Sequence, residues 1–143
     1  MAIANLHETL LYYTMRKNQL QLDITEFQSQ KQLAVASMAD KNTLLSSSKA
    51  DIRDYFKHLY NNDEELQAAY RNYTEIPDFE EEIDKITAQI QDELDELTAW
   101  ETTLDQQITT ASAELEEINA YQESVKTMLS SNIQEDFNYG LNQ

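Results

Sequence analysis

The chain has 143 residues, a formal net charge of −17, one glycine (Gly140) and one proline (Pro77). Hairpin turns, βαβ units and phosphate-binding loops need glycine at tight turns, so this composition argues against β and α/β folds. Asp and Glu outnumber Lys and Arg by 27 to 10, which disfavours binding to nucleic acids and to anionic membrane surfaces. The absence of cysteine excludes disulfides and thiolate chemistry.

The first predicted element is a long helix over about residues 5–60, with Asn5 as its N-cap. Apolar residues recur in it at alternating steps of four and three, the spacing of a coiled-coil seam. The seam positions are Leu6, Leu10, Tyr13, Lys17, Leu20, Ile24, Phe27, Lys31, Ala34, Met38, Lys41, Leu45, Ser48, Ile52, Tyr55 and Leu59. The polar stretch 40–48 is the predicted place for a kink or break.

Residues 61–77 interrupt this pattern and are predicted to connect two helices. The run Asn61-Asn62-Asp63-Glu64-Glu65 indicates a helix stop followed by a new N-cap, and Leu66 to Tyr73 is predicted to form at most a short helix. Pro77 disfavours a helical conformation for Ile76, which makes this the strongest boundary in the sequence.

A second long helix is predicted from about residue 78 to 136, followed by a short C-terminal tail at 137–143. Its spine again follows steps of three and four, with polar residues at three seam positions, Glu101, Gln122 and Asn132. The apolar positions are Phe79, Ile83, Ile86, Ile90, Leu94, Leu97, Leu104, Ile108, Ala111, Leu115, Ile118, Val125 and Leu129.

These elements predict an all-α fold in a single domain, residues 1–143, in which two long helices form an antiparallel coiled-coil hairpin. The charge distribution supports this fold. Residues 1–60 carry seven basic and six acidic side chains, whereas residues 75–119 carry fifteen acids and one base, Lys85. Folding back therefore lays a lysine-bearing helix against an acidic one.

Because a two-helix hairpin buries only one stripe per helix, we expect it to self-associate or to bind a helical protein partner.

No motif in the chain indicates catalysis, a metal or a cofactor. Asp54 and His58 share a helix face, but a surface ion pair or a free histidine explains them, and Glu-x-x-His motifs are absent. The acidic run 78–84 lacks the central glycine of a calcium loop. The serines at 46–48 have neither a nearby base nor a glycine elbow. We therefore expect a protein that is not an enzyme and has no small-molecule substrate.

Aromatic residues cluster around the predicted connector and form the candidate interface. Two interpretations stay open: a small cap that packs the turn, or an exposed aromatic surface for docking. The candidate residues are Tyr55, Phe56, Tyr60, Tyr70, Tyr73, Phe79 and, farther along the second helix, Trp100. Tyr12 and Tyr13 lie on or beside the first seam and are further candidate anchors.

The predicted architecture resembles helical-hairpin proteins such as the stalk and export-chaperone components of flagellar-type secretion systems. It also resembles the small secreted hairpins of the WXG type, although Glu101 and Thr102 follow Trp100, so the Trp-x-Gly turn is absent. The leading hypothesis is a structural coiled-coil protein that self-associates or forms part of a larger assembly. The alternative is an acidic adaptor or secretion-type chaperone that binds a basic or helical client.

The N-terminal residues have neither the basic region nor the apolar region of a cleaved signal peptide. No apolar run reaches membrane-spanning length. The expectation is a protein that is cytoplasmic, or exported without a cleaved signal, and that does not insert into membranes.

Overall fold

The computed structural model describes residues 2–141, which form three α-helices and one short 3₁₀-helix. Helix α1 spans Ile3–Asn61, α2 spans Glu64–Ala69, the 3₁₀-helix spans Tyr73–Glu75, and α3 spans Pro77–Leu141. The described part of the chain contains no strand. The predicted all-α hairpin of two long helices with a short connector is confirmed.

The chain divides into two compact units, each with its own segments of α1 and α3. Unit 1 combines Met1–Lys31 with Thr103–Gln143, and unit 2 is Gln32–Thr102. Within each unit the segments of α1 and α3 run antiparallel. The evidence is that residues with higher numbers on α1 contact residues with lower numbers on α3. The pairs that show it are Thr14 with Gln122 and Lys31 with Asp105 in unit 1, and Met38 with Thr98 and Phe56 with Phe79 in unit 2.

The core of unit 1 lies along the predicted seam. Leu20 is 2% exposed and packs with Ala111 and Ile118, and three half-buried side chains surround this cluster. They are Tyr13, Ile24 and Leu115. The buried residues of the unit are therefore those that stand three and four apart in the sequence, and they form one stripe on each helix.

One polar seam position of unit 1, Gln122, is buried. Its side chain is 7% exposed, and its amide Nε2 donates a 2.8 Å hydrogen bond to the Thr14 hydroxyl oxygen. That hydroxyl in turn donates to the carbonyl oxygen of Leu10, at 2.9 Å. Among the described residues, no buried side-chain nitrogen or oxygen lacks a hydrogen-bond partner. Gln122 thus occupies a buried seam position, and its hydrogen bond to Thr14 leaves no polar atom there unsatisfied.

The core of unit 2 follows the seam with one change of register. Ala34 and Ile90 are buried as predicted, but Phe56 is buried in place of Tyr55, which is 62% exposed. The prediction that Tyr55 lies in the seam is therefore wrong. A step of four from Ile52 to Phe56 is as compatible with one helix face as a step of three, and Phe56 has no hydroxyl group to hydrate.

Three ion pairs join the lysine-bearing helix to the acidic one, as the charge distribution predicts. Within unit 1, Arg16 contacts Glu114 at 2.8 Å and Lys31 contacts Asp105 at 2.7 Å. Within unit 2, the corresponding pair is Lys41 with Glu93, at 2.8 Å. All six side chains are at least one-third exposed, so each pair contributes only about 0.2–1 kcal/mol to stability.

Three predicted features of the helices differ from the structure. Asn5, the predicted N-cap of the first helix, lies inside α1, which begins at Ile3. The stretch 40–48, where a kink or break is predicted, lies inside α1 without a break, because it contains neither glycine nor proline and every residue can keep its backbone hydrogen bond. Helix α3 continues to Leu141, whereas the sequence assigns residues 137–143 to a tail. Gly140 has no positive φ and so does not end the helix. Residues 142 and 143 lie outside the described residues.

Substituting Leu20→Ala tests whether the seam carries the stability of unit 1. Leu20 is 2% exposed, so its truncation leaves a cavity and should lower the free energy of unfolding by about 2–5 kcal/mol. The matched control is Ile133→Ala, on α3 of the same unit and 52% exposed, which should change it by less than about 0.5 kcal/mol. Denaturant unfolding at one dilute protein concentration measures both. Equal losses in the two variants would show that the seam does not carry the stability.

Candidate functional site

The connector in unit 2 is built by capping groups that its sequence supplies. The Asp63 carboxylate accepts hydrogen bonds from the backbone N–H groups of Glu65 and Leu66 and so caps α2, which begins two residues before the predicted short helix and ends at Ala69. At the end of α1, the Gln67 side chain donates to the carbonyl oxygens of Tyr60 and Asn61, at 2.9 and 3.2 Å. The first N–H groups of α2 and the last carbonyls of α1 thus find partners within the connector.

Three of the predicted aromatic residues form a packed cluster between the connector and the helices of unit 2. Phe79 lies edge-on to both Phe56 and Tyr73, with ring centroids 5.6 and 5.3 Å apart. Phe56 is 5% exposed, and the Lys57 ammonium lies 5.5 Å from the centroid of the Tyr73 ring. The edge-to-face geometry and the burial of Phe56 are those of a structural cap that packs the turn.

Tyr60 and Tyr70 are joined by a hydrogen bond rather than by ring packing. The Tyr60 hydroxyl donates a shared hydrogen bond to the carbonyl oxygens of Tyr70 and Arg71, at 3.0 and 2.8 Å. Both tyrosines are half-buried. This bond fixes the segment between α2 and the 3₁₀-helix against the end of α1.

Tyr55 and Trp100 are the two predicted interface residues that remain exposed, and the structure does not bring them together. The Tyr55 ring lies edge-on to Phe56, with centroids 5.2 Å apart, but 62% of the residue is accessible. Trp100 is 36% exposed and lines a separate groove with Lys41 and Glu93. The predicted interface is thus divided among three packed rings, two half-buried tyrosines linked by a hydrogen bond, and two accessible side chains.

A groove of about 630 Å³ lies beside Tyr55 and Phe56 in unit 2. Its other lining residues are Ile52 and four carboxylates: Asp51, Asp78, Glu81 and Glu82. The four acids are exposed, and no ion pair in the described part of the chain involves them. Aromatic rings together with carboxylates form a surface that suits the side chain of a lysine or an arginine.

In unit 1, Tyr13 packs between the rings of Tyr12 and Tyr121. Its ring is tilted against Tyr12 and stacked on Tyr121, at centroid distances of 5.6 and 5.8 Å. The Tyr121 hydroxyl donates a 2.8 Å hydrogen bond to a carboxylate oxygen of Glu117. That bond favours the protonated phenol and raises the pKa of Tyr121 above its ordinary value. Tyr12 remains 62% exposed, as an anchor for a second interface would require.

The sequence analysis missed a set of exposed apolar residues on α1. In unit 1 these are Leu11, Met15 and Leu22, and in unit 2 they include Leu33 and Leu44. The signal that could have found them is their spacing: Leu11, Leu22, Leu33 and Leu44 recur every eleven residues, close to three helical turns. Outside the seam, the sequence predictions named only aromatic residues, such as Tyr12 and Trp100.

No group of three histidine or acidic side chains within residues 2–141 is arranged to hold a metal ion. His58 lies beside Asn62, whose side-chain nitrogen is 3.2 Å from the imidazole Nδ1. No described helix has an apolar stretch long enough to cross a membrane. Comparison of the chain with protein-family models, curated proteins and solved structures finds no match.

Replacing Tyr60 with phenylalanine tests whether its hydroxyl fixes the connector. Tyr60→Phe removes the shared hydrogen bond to Tyr70 and Arg71 and should lower the free energy of unfolding by about 0.5–1.5 kcal/mol. Amide hydrogen exchange between α2 and the 3₁₀-helix should become faster at the same time. The matched control is Tyr55→Phe, since Tyr55 is exposed. If exchange in the connector is as slow in Tyr60→Phe as in the wild type, the bond has no such role.

Proposed function

We propose that this protein is a non-enzymatic coiled-coil structural protein that self-associates or forms part of a larger protein assembly. The observation that carries the proposal is the balance between buried and exposed apolar side chains. Among the described residues, ten apolar side chains are buried, whereas fourteen large apolar ones are exposed. A single hairpin thus leaves apolar surface that association with another helical surface would cover.

The arrangement of the exposed residues supports the same proposal. They do not gather in a concave pocket that could enclose a small molecule. Several of them instead lie along α1 at intervals that return to one side of the helix, as Leu11, Met15 and Leu22 do in unit 1. Extended stripes of this kind are typical of helix-to-helix association.

The alternative is an acidic adaptor or chaperone for a basic or helical client protein. The groove beside Tyr55 favours it, because Asp51, Asp78, Glu81 and Glu82 surround the aromatic residues there. A client held by these carboxylates would dissociate steeply as ionic strength rises. Self-association through leucine and methionine side chains would be nearly insensitive to salt. The response to salt therefore separates the two functions.

Light scattering coupled to size exclusion tests the proposed function on the untagged chain of 143 residues. Across a tenfold range of protein concentration, we expect a dimer or larger assembly whose mass is the same at low and high salt, since apolar contacts are not screened. A folded monomer at every concentration and salt would contradict self-association. That result would favour the alternative function, in which a basic client binds in the groove beside Tyr55.

A further inference from the structure

The groove beside Tyr55 lies between α1 and α3 in unit 2 and has both an apolar and an acidic lining. Its apolar part consists of Phe56, which is 5% exposed, the half-buried Ile52 and the ring of Tyr55, which is 62% exposed. Its acidic part consists of four exposed carboxylates: Asp51 on α1, and Asp78, Glu81 and Glu82 on α3. The groove therefore combines an accessible aromatic ring with four negative charges.

The charges around this groove break the rule that pairs α1 with α3 elsewhere. Away from it, bases of α1 meet acids of α3, as Lys41 meets Glu93 at 2.8 Å in the same unit. Here α1 instead presents Asp51 to a space that Glu82 of α3 also lines. Among the described residues, none of the four carboxylates of the groove has an ion pair or a side-chain hydrogen bond. Carboxylates that share a space without a counter-charge repel one another, and a bound cation would relieve that repulsion.

The basic side chains nearest in the sequence do not neutralise the groove. Lys85 lines an adjoining groove, without an ion pair to any of the four carboxylates. The Lys57 ammonium lies over the ring of Tyr73, 5.5 Å from its centroid. Lys49 and Arg53 are on α1 and line neither groove. A cation from outside the hairpin would therefore meet four unpaired negative charges.

Helix capping explains only part of this acidity. Asp78 lies in the first turn of α3, where an acid interacts favourably with the helix dipole. Asp51 lies ten residues before Asn61, the last residue of α1, where the dipole gives an acid no such benefit. Tyr55 stands one turn after Asp51 on the same face and keeps most of its surface exposed. Local helix stability thus explains neither of these two residues of α1.

We infer that this groove binds an arginine side chain presented by a basic segment of another protein. A guanidinium can stack on the exposed ring of Tyr55 and form paired hydrogen bonds to a carboxylate such as Asp51 or Glu82. A lysine ammonium is a strongly hydrated point charge and cannot make both contacts with one planar group. A metal ion fits less well, because no three acidic side chains within residues 2–141 are arranged to hold one.

The experiment compares two short blocked peptides, one of alternating arginine and glycine and one with lysine in place of arginine. Fluorescence anisotropy at low salt measures the dissociation constant of each labelled peptide for the chain of 143 residues. We expect the arginine peptide to bind at least about threefold more tightly. Because the two peptides carry the same charge, attraction to the net charge of −17 does not produce this difference.

Neutralising two carboxylates tests whether the peptide binds in the groove. Asp51→Asn with Glu82→Gln should raise the dissociation constant of the arginine peptide at least about tenfold. The matched control is Asp92→Asn with Glu116→Gln, which removes the same charge at exposed positions outside the groove. The control should change the constant by less than about threefold, since it affects only the overall charge. Circular dichroism shows that all variants retain their helix content.

Removing the aromatic ring tests its part in the binding. Tyr55→Ala should raise the dissociation constant of the arginine peptide about threefold to tenfold, through the loss of the cation–π contact. The matched control is Tyr12→Ala, since Tyr12 is also on α1 and also 62% exposed. The control should leave the constant nearly unchanged.

The outcomes distinguish this inference from the proposed function. The inference rests on that part of the proposed function in which the chain joins another protein, and self-association is measured separately, without peptide. No binding of the arginine peptide, equal binding of the two peptides, or equal losses in the groove variants and their controls would each overturn the inference. A monomeric wild type that prefers the arginine peptide overturns self-association and leaves the inference standing. A preference for arginine that only the groove variants weaken supports the inference.

Discussion

Within each unit, α1 and α3 touch along a stripe about one side chain wide, because a helix directs only positions three and four apart towards a single neighbour. Leu20, Ala111 and Ile118 fill that stripe in unit 1, and Ala34 and Ile90 lie on it in unit 2. A core of this width leaves most of each helix in contact with solvent. The stripe can therefore fix which faces meet, while it stabilises the hairpin only modestly.

Charged and polar side chains beside the seam determine how α1 and α3 align within each unit. The three ion pairs between the helices lie beside the seam and bring the acids of α3 against the bases of α1. Each ion pair contributes little to stability. A different alignment of the two helices, however, would place side chains of like charge beside one another. The buried hydrogen bond between Gln122 and Thr14 adds a register requirement, since a shift along the helix would leave a buried amide without its partner.

The same division of charge leads to the proposed assembly. Among the described residues, most acids of α3 have no basic partner, so these positions of the helix suit contact with water. On the proposed function, the seam closes the hairpin, and exposed apolar side chains outside the seam join it to other copies.

Much of the fold could be predicted from the sequence, because long apolar periodicities and helix-breaking residues act locally. The apolar seam of α3, the helix stop and new N-cap within residues 61–65 and the extended conformation before Pro77 all depend on near neighbours in the chain. The register at the end of α1 could not be predicted, because Tyr55 and Phe56 fit the periodicity equally well. Only the contact with Phe79 determines that Phe56 is the buried residue. The extension of α3 through Gly140 was missed because glycine permits a helical end without requiring one.

The candidate site was less predictable than the fold. Aromatic content marked the connector correctly as a cluster, but composition does not separate rings that pack on one another from rings that face solvent. Phe56 and Phe79 belong to the first kind and Tyr55 to the second, a difference that depends on tertiary contacts. The exposed leucines of α1 follow an eleven-residue spacing in the sequence, yet only their exposure in the folded chain, as at Leu11 and Leu22, distinguishes them from core residues.

The central claim is that a one-stripe hairpin depends on a second copy for part of its stability. The most direct measurement is the midpoint of thermal unfolding of the wild type, followed by circular dichroism over a hundredfold range of protein concentration. If association stabilises the folded state, mass action requires the midpoint to rise steadily with concentration. A midpoint that is the same at every concentration would show that the hairpin is stable alone, and would contradict this account.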